Sequence, residues 1–152
     1  MFDIKHDREI NLGAPCHALS LSPDSKQFVV GTKEVRIINS LNGHFRTHSV
    51  LRSSSQSSTH TEAQWNPSEL YSQYIVSAPT SGGVLLWNLQ KDGTKRLENR
   101  MEDHLRSVNR LCWHHSEPHV FSASMDGSVK LWSSLPLSLS LSLSLYLDSL
   151  LQ

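Results

Sequence analysis

Short apolar runs alternate with polar turns along the chain, and one such alternation recurs in register. "SAPTSGGVLLW" at residues 77–87 aligns without a gap on "SASMDGSVKLW" at residues 122–132, 45 positions later. In each copy an apolar stretch (Tyr74, Ile75, Val76; then His119, Val120, Phe121) enters a glycine turn and leaves as a second alternating strand. This pattern predicts an antiparallel hairpin. Upstream, "TEAQWNP" and "SVNRLCWHH" each add a strand ending in tryptophan, so one unit holds at least three strands. A weaker copy opens the chain, with strands expected over 18–21, 28–30 and 35–38 and with Ile38 in the tryptophan position. The chain is therefore expected to be all-β, with repeated units near 10–48, 60–98 and 104–134 and a flexible serine-rich link at 49–62.

From Leu135 the character changes: "LPLSLSLSLSLYLDSLLQ" is a strict leucine/serine alternation. Physically it reads as an amphipathic strand of period two, leucines on one face and serines on the other, which is an aggregation hazard if exposed. As a membrane anchor it is short and carries Asp148. Read as coding sequence, it matches a CT repeat translated in triplets (CTC leucine, TCT serine). Residues 135–152 are thus expected to be a low-complexity tail on a chain cut short.

Composition narrows the function classes. An apolar content of 38% allows only a modest core. With 14 lysines and arginines against 14 acidic residues, no net field recruits nucleic acid or an anionic membrane surface, and neither is expected as a direct partner. Cys16 and Cys112 lie far apart beside apolar strand residues, so they are expected to be buried, reduced thiols of an intracellular protein. The opening MFDIKHDREI has no uninterrupted apolar core of the kind a secretory signal needs.

A period of about 40 to 45 residues with four strands per unit resembles the WD-repeat family, whose units are blades of a β-propeller. The resemblance implies a partial WD-repeat β-propeller of about three blades, fewer than the roughly four to eight that close a ring. In the last unit His104, Ser122, Asp126 and Trp132 stand where that family places a buried hydrogen-bonding tetrad. There the Asp126 carboxylate would accept from the His104 imidazole, and the Ser122 hydroxyl would bridge His104 and the Trp132 indole N–H. The second unit keeps Ser77 and Trp87 but has Ser81 where Asp126 stands, and no histidine matches His104, since His60 is too close to Trp65. Ser133 departs from the aspartate common after the tryptophan of WD repeats.

Competing chemistries fare less well. Serine, histidine and aspartate are the ingredients of nucleophilic hydrolysis, but no nucleophile elbow or oxyanion hole is visible. The trio also decays in the second unit, as a scaffold tolerates. No catalytic residue and no small-molecule substrate are expected. Cys112, His114, His115 and His119 lie close in sequence, yet on a strand adjacent His114 and His115 would point opposite ways, so no metal site and no cofactor are expected. The repeat positions of Trp87 and Trp132 explain them as core rather than as a stacking platform. Phosphorylation sites beside Arg52 are a lesser reading of the serine-rich run.

Within the WD-repeat family, "APTSGGVLLWNL" and "EDHLRSVNRLCWHHSEPHVFSASMDGSVKLW" are similar to the early blades of the WD-repeat subunit of the GATOR complex, called SEA in yeast. The run from Asp103 to Cys112, the run from Ser116 to Val120 and the irregular first unit carry this likeness, which covers about residues 10 to 132. It implies a non-enzymatic scaffold that binds other WD-repeat subunits of the complex. It further implies a part in relaying amino-acid supply to the TOR kinase, with links to autophagy. The implied location is cytoplasmic, with membrane association at the vacuolar or lysosomal surface only through the complex. Full-length relatives carry a zinc-binding RING-like domain, for which this sequence has no paired CxxC.

Overall fold

A computed structural model describes residues 8–42, 44–53, 58–90 and 94–133. Its strands form three antiparallel sheets, each a meander in chain order. Sheet 1 holds β1 (Ala18–Leu21), β2 (Gln27–Gly31), β3 (Val35–Leu41) and β4 (His44–Leu51). Sheet 2 holds β5 (His60–Trp65), β6 (Tyr74–Pro79), β7 (Val84–Leu89) and β8 (Lys95–Met101). Sheet 3 holds β9 (Val108–Trp113), β10 (His119–Ser124) and β11 (Val129–Ser133). The first strands approach one another across the sheets, β1 against β5 and β5 against β9. This is a partial β-propeller, with those three strands innermost.

Two apolar clusters hold the stack. Between sheets 1 and 2 lie Val29, Val35 and Ile37 against Trp65, Ile75 and Trp87. Between sheets 2 and 3 lie Tyr74, Val76 and Leu86 against Leu111, Trp113 and Val120. Sheet 2 is thus covered on both faces, which is why β6 (YIVSAP) is buried along its whole length and β7 (VLLWNL) along nearly all of it. A strand buried on both faces needs apolar residues at every position, not every second one. Sheet 3 is covered on one face among the described residues, and β11 alternates accordingly, with Val129 and Leu131 exposed.

The paired hairpins keep the 45-residue offset, but the first strands do not. Trp65 and Trp113 end equivalent strands 48 positions apart. The three extra residues fall between β5 and β6, where a 3₁₀ turn (Glu69–Tyr71) buries Tyr71 and the Trp65 indole N–H donates to the Ser72 carbonyl at 2.6 Å.

Several expectations need correction. Both cysteines are exposed: Cys112 lies opposite Phe121, on the face of β9 turned away from sheet 2. Apolar neighbours in sequence do not bury a side chain whose own face of the sheet is open. His114 and His115 do not point apart, their rings lying 4.8 Å apart. Strand β9 ends at Trp113, so the two histidines sit in a turn where alternation does not apply. The serine-rich stretch is strand at both ends, because β4 runs through Leu51 and β5 begins at His60. The leucine/serine tail lies outside the described residues.

Candidate functional site

The hairpin β10–β11 turns through residues 124–128. Gly127, at φ +83°, occupies the left-handed region that glycine enters without steric cost. The turn sets Asp126 over the loop that leads from β8 into β9. Its carboxylate accepts from the His104 ring at Nδ1 (2.8 Å), from the Leu105 backbone N–H (3.0 Å), and from the Ser128 hydroxyl (2.6 Å) and N–H (2.9 Å). These donors, the Ser128 hydroxyl foremost and the His104 ring next among side chains, hold the Asp126 carboxyl well below the usual carboxylate range.

On the far side of the imidazole, His104 Nε2 lies 2.7 Å from Ser122 Oγ, which accepts the Trp132 indole N–H at 2.7 Å. A single assignment of protons satisfies the chain. Trp132 N–H donates to Ser122, Ser122 O–H donates to Nε2, and Nδ1–H donates to Asp126. The His104 side chain is fully buried, and Ser122 is 1% exposed. A serine so enclosed has no open face for a substrate carbonyl, and its hydroxyl is engaged on both sides. The arrangement braces a turn; it offers nothing to an acyl group.

All four expected tetrad residues are brought together. In sheet 2 the pattern is thinner: the Trp87 indole N–H donates to the buried Ser77 hydroxyl at 2.8 Å, while Ser81 is exposed at its turn. His60 lies on β5, buried, with Nδ1 unpartnered, and burial pushes it down to about 4. Sequence reasoning missed Ser128, although Asp-Gly-Ser at 126–128 is a spacing at which an aspartate bonds backbone two residues on. It also missed Ser124, whose hydroxyl donates to the Arg106 and Ser107 carbonyls and ties the two loops together.

Further polar contacts tie sheet 2 to sheet 3 along the inner strands. Thr61 Oγ1 donates to the Val108 carbonyl at 2.6 Å, Arg110 pairs with the buried Glu62 at 3.1 Å, and the Trp113 indole N–H donates to the Gln64 carbonyl at 3.3 Å. All four tryptophans therefore spend their indole N–H inside the scaffold. Among the described residues no group of three or more His, Cys, Asp or Glu is arranged to hold a metal ion.

The stacked antiparallel meanders, two of four strands and one of three, and the His–Ser–Asp–Trp brace define a class: the chain carries a WD repeat and resembles the WD-repeat family. The family description "WD domain, G-beta repeat" matches residues 95–133, which take in β8 of sheet 2 and the three strands of sheet 3. The sequence repeat thus straddles two sheets. Over 130 residues, 81% of its length, the chain is 35% identical to the GATOR2 complex protein WDR24 of Dictyostelium discoideum. Over 79% of its length it is 28% identical to the human protein of the same name. It spans only 13% and 16% of those two relatives. The crystal structure of RRP9 WD40 repeats superposes with a TM-score of 0.68 at 19% identity, covering 82% of this chain and 37% of that one, a likeness of fold alone.

Proposed function

We propose that the chain is a non-enzymatic interaction scaffold that works as part of a GATOR2-type complex, binding other WD-repeat subunits. The observation that carries this reading is the 35% identity over 130 residues to a GATOR2 complex protein. The enclosed Ser122 supports the absence of hydrolysis, and the neutral charge balance supports protein partners over nucleic acid. In this reading the tetrad of His104, Ser122, Asp126 and Trp132 fixes one blade so that its loops are presented in a constant geometry. The remainder of the proposal follows from the complex: a part in TOR signalling in response to amino acids, a link to autophagy, and a cytoplasmic location reaching the lysosomal or vacuolar surface through partner subunits. Among the described residues no helix is long and apolar enough to cross a membrane.

Affinity purification of the tagged chain, with mass spectrometry calibrated against an unrelated propeller bait, tests the assignment. Enrichment of the other GATOR2 subunits over the control is the expected result. Recovery of none of them at saturating bait overturns it.

A further inference from the structure

The three residues that sheet 2 carries beyond the sheet 3 pattern build something the hairpin does not need. The 3₁₀ turn in that stretch (Glu69–Tyr71) is anchored inward by Tyr71 and leaves Leu70 69% exposed. Glu69 and Leu70 wall an open cavity of about 1060 Å³ at the junction of sheets 1 and 2. Sheet 1 supplies Gln27 to this cavity, and sheet 2 supplies Trp65, Tyr74 and, from the end of β7, Asn88 and Leu89. A second cavity, of about 380 Å³, shares Gln27, Trp65, Glu69 and Ser72 with the first and continues it to Ser22 and Asp24 beyond β1. Together they form one groove, from the β1–β2 turn past the 3₁₀ turn to the end of β7.

Carboxamides line this groove, from Gln27, Gln73, Asn88 and Gln90, and each such group offers both a donor and an acceptor, as a peptide unit does. The charges among its lining residues are both negative, Asp24 and Glu69. Asp24 has one long contact with a cation, 3.9 Å to Lys26, and Glu69 makes no ion pair among the described residues. We propose that the groove docks an extended peptide segment of a partner protein, which sets a lysine or arginine between Asp24 and Glu69 and an apolar side chain against Leu70 and Leu89. The main cavity alone exceeds the roughly 300 to 1000 Å³ of small-molecule sites, which favours a longer ligand. Extended backbone leaves its N–H and C=O groups available to the carboxamides, whereas a helix spends them internally. An acidic or phosphorylated segment would set like charges against Asp24 and Glu69 and is disfavoured. This inference stands independently of the GATOR2 assignment.

Selection of a phage-displayed random heptapeptide library on the immobilised full chain tests it. Enriched peptides should carry a lysine or arginine beside an apolar residue. Their synthetic copies, followed by fluorescence anisotropy, should bind at least tenfold more weakly to Glu69→Lys and to Leu70→Asp. Both positions are exposed, so the circular dichroism spectrum and urea midpoint of each variant should stay unchanged. Exchanging the basic residue of the peptide for glutamate should abolish binding to the unaltered chain and restore part of it on Glu69→Lys, a rescue that contact elsewhere on the surface would not give. No enrichment, enrichment of acidic or wholly apolar peptides, or basic peptides indifferent to Glu69→Lys overturns the proposal.

Discussion

Residues 77–87 and 122–132 share a serine and a tryptophan at the same spacing, yet the hairpins they form are secured by different forces. The sheet 2 hairpin is pressed between two neighbours, and Ile75, Val76, Val84, Leu85 and Leu86 are at most 1% exposed. Its turn is simple, with Gly82 and Gly83 in the left-handed region and Ser81 turned to solvent. The sheet 3 hairpin has one covered face among the described residues, and Lys130, half-buried and paired with Asp103, stands where Leu85 stands in sheet 2. Its turn carries the polar brace. Apolar burial is non-directional and scales with area, whereas hydrogen bonds fix direction. A hairpin enclosed on both faces keeps its geometry without an ordered turn network; one enclosed on a single face draws that geometry from side chains that bond in set directions.

The largest effect expected from this contrast is in the middle sheet. Leu86→Ala removes a fully buried side chain facing Trp113 and Val120, and should cost about 2 to 5 kcal/mol. Urea denaturation followed by tryptophan fluorescence measures it. A cost below that of losing any one hydrogen bond in the sheet 3 brace would show that packing does not dominate sheet 2.

Acid should act next, and on the same sheet. His60 follows the boundary with sheet 1, its backbone N–H donating to the Thr32 carbonyl, and burial pushes its imidazole down to about 4. Above the unfolded value near 6.5 both states are neutral, and His60 contributes no pH dependence. Between about 6.5 and 4 the unfolded chain takes up a proton that the folded chain refuses. Stability then falls by about 1.4 kcal/mol per pH unit, about 3 kcal/mol in all. Denaturation midpoints for the unaltered chain and His60→Leu at pH 7.5, 5.5 and 4.5 isolate the contribution. Equal slopes for the two proteins would remove His60 as the cause.

The hairpins and their partner strands were legible because period-two alternation and glycine turns are local signals. β1 falls on 18–21, where the pattern places it, and the serine–tryptophan pairs meet as their spacing requires. What stayed hidden depends on neighbours. Cys112 and Val120 are both residues of sheet 3 strands, but one faces solvent and the other sheet 2, and only the stacking order decides which. The contact of His114 with His115 depended on where β9 stops, and strand ends are weakly encoded. Ser128 was missed for a different reason. The resemblance that located the tetrad names four residues, and the fifth follows only from asking where the second oxygen of Asp126 finds its donor.

The finest test separates the two serine–tryptophan pairs. Ser77→Ala leaves one buried group, the Trp87 indole N–H, without its partner. Ser122→Ala leaves two, the Trp132 indole N–H and His104 Nε2, and so interrupts the route from Trp132 to Asp126. At about 1 to 3 kcal/mol for each orphaned group, the second substitution should cost more than the first. Its excess should shrink when His104→Leu is made in the same chain, because only the indole then remains unpaired. A double-mutant cycle of this kind, read by urea denaturation, would give a coupling near zero if His104 and Ser122 merely lie close. A clear coupling would mean that the sheet 3 hairpin is secured through its hydrogen bonds as a unit, in the manner that sheet 2 achieves by enclosure.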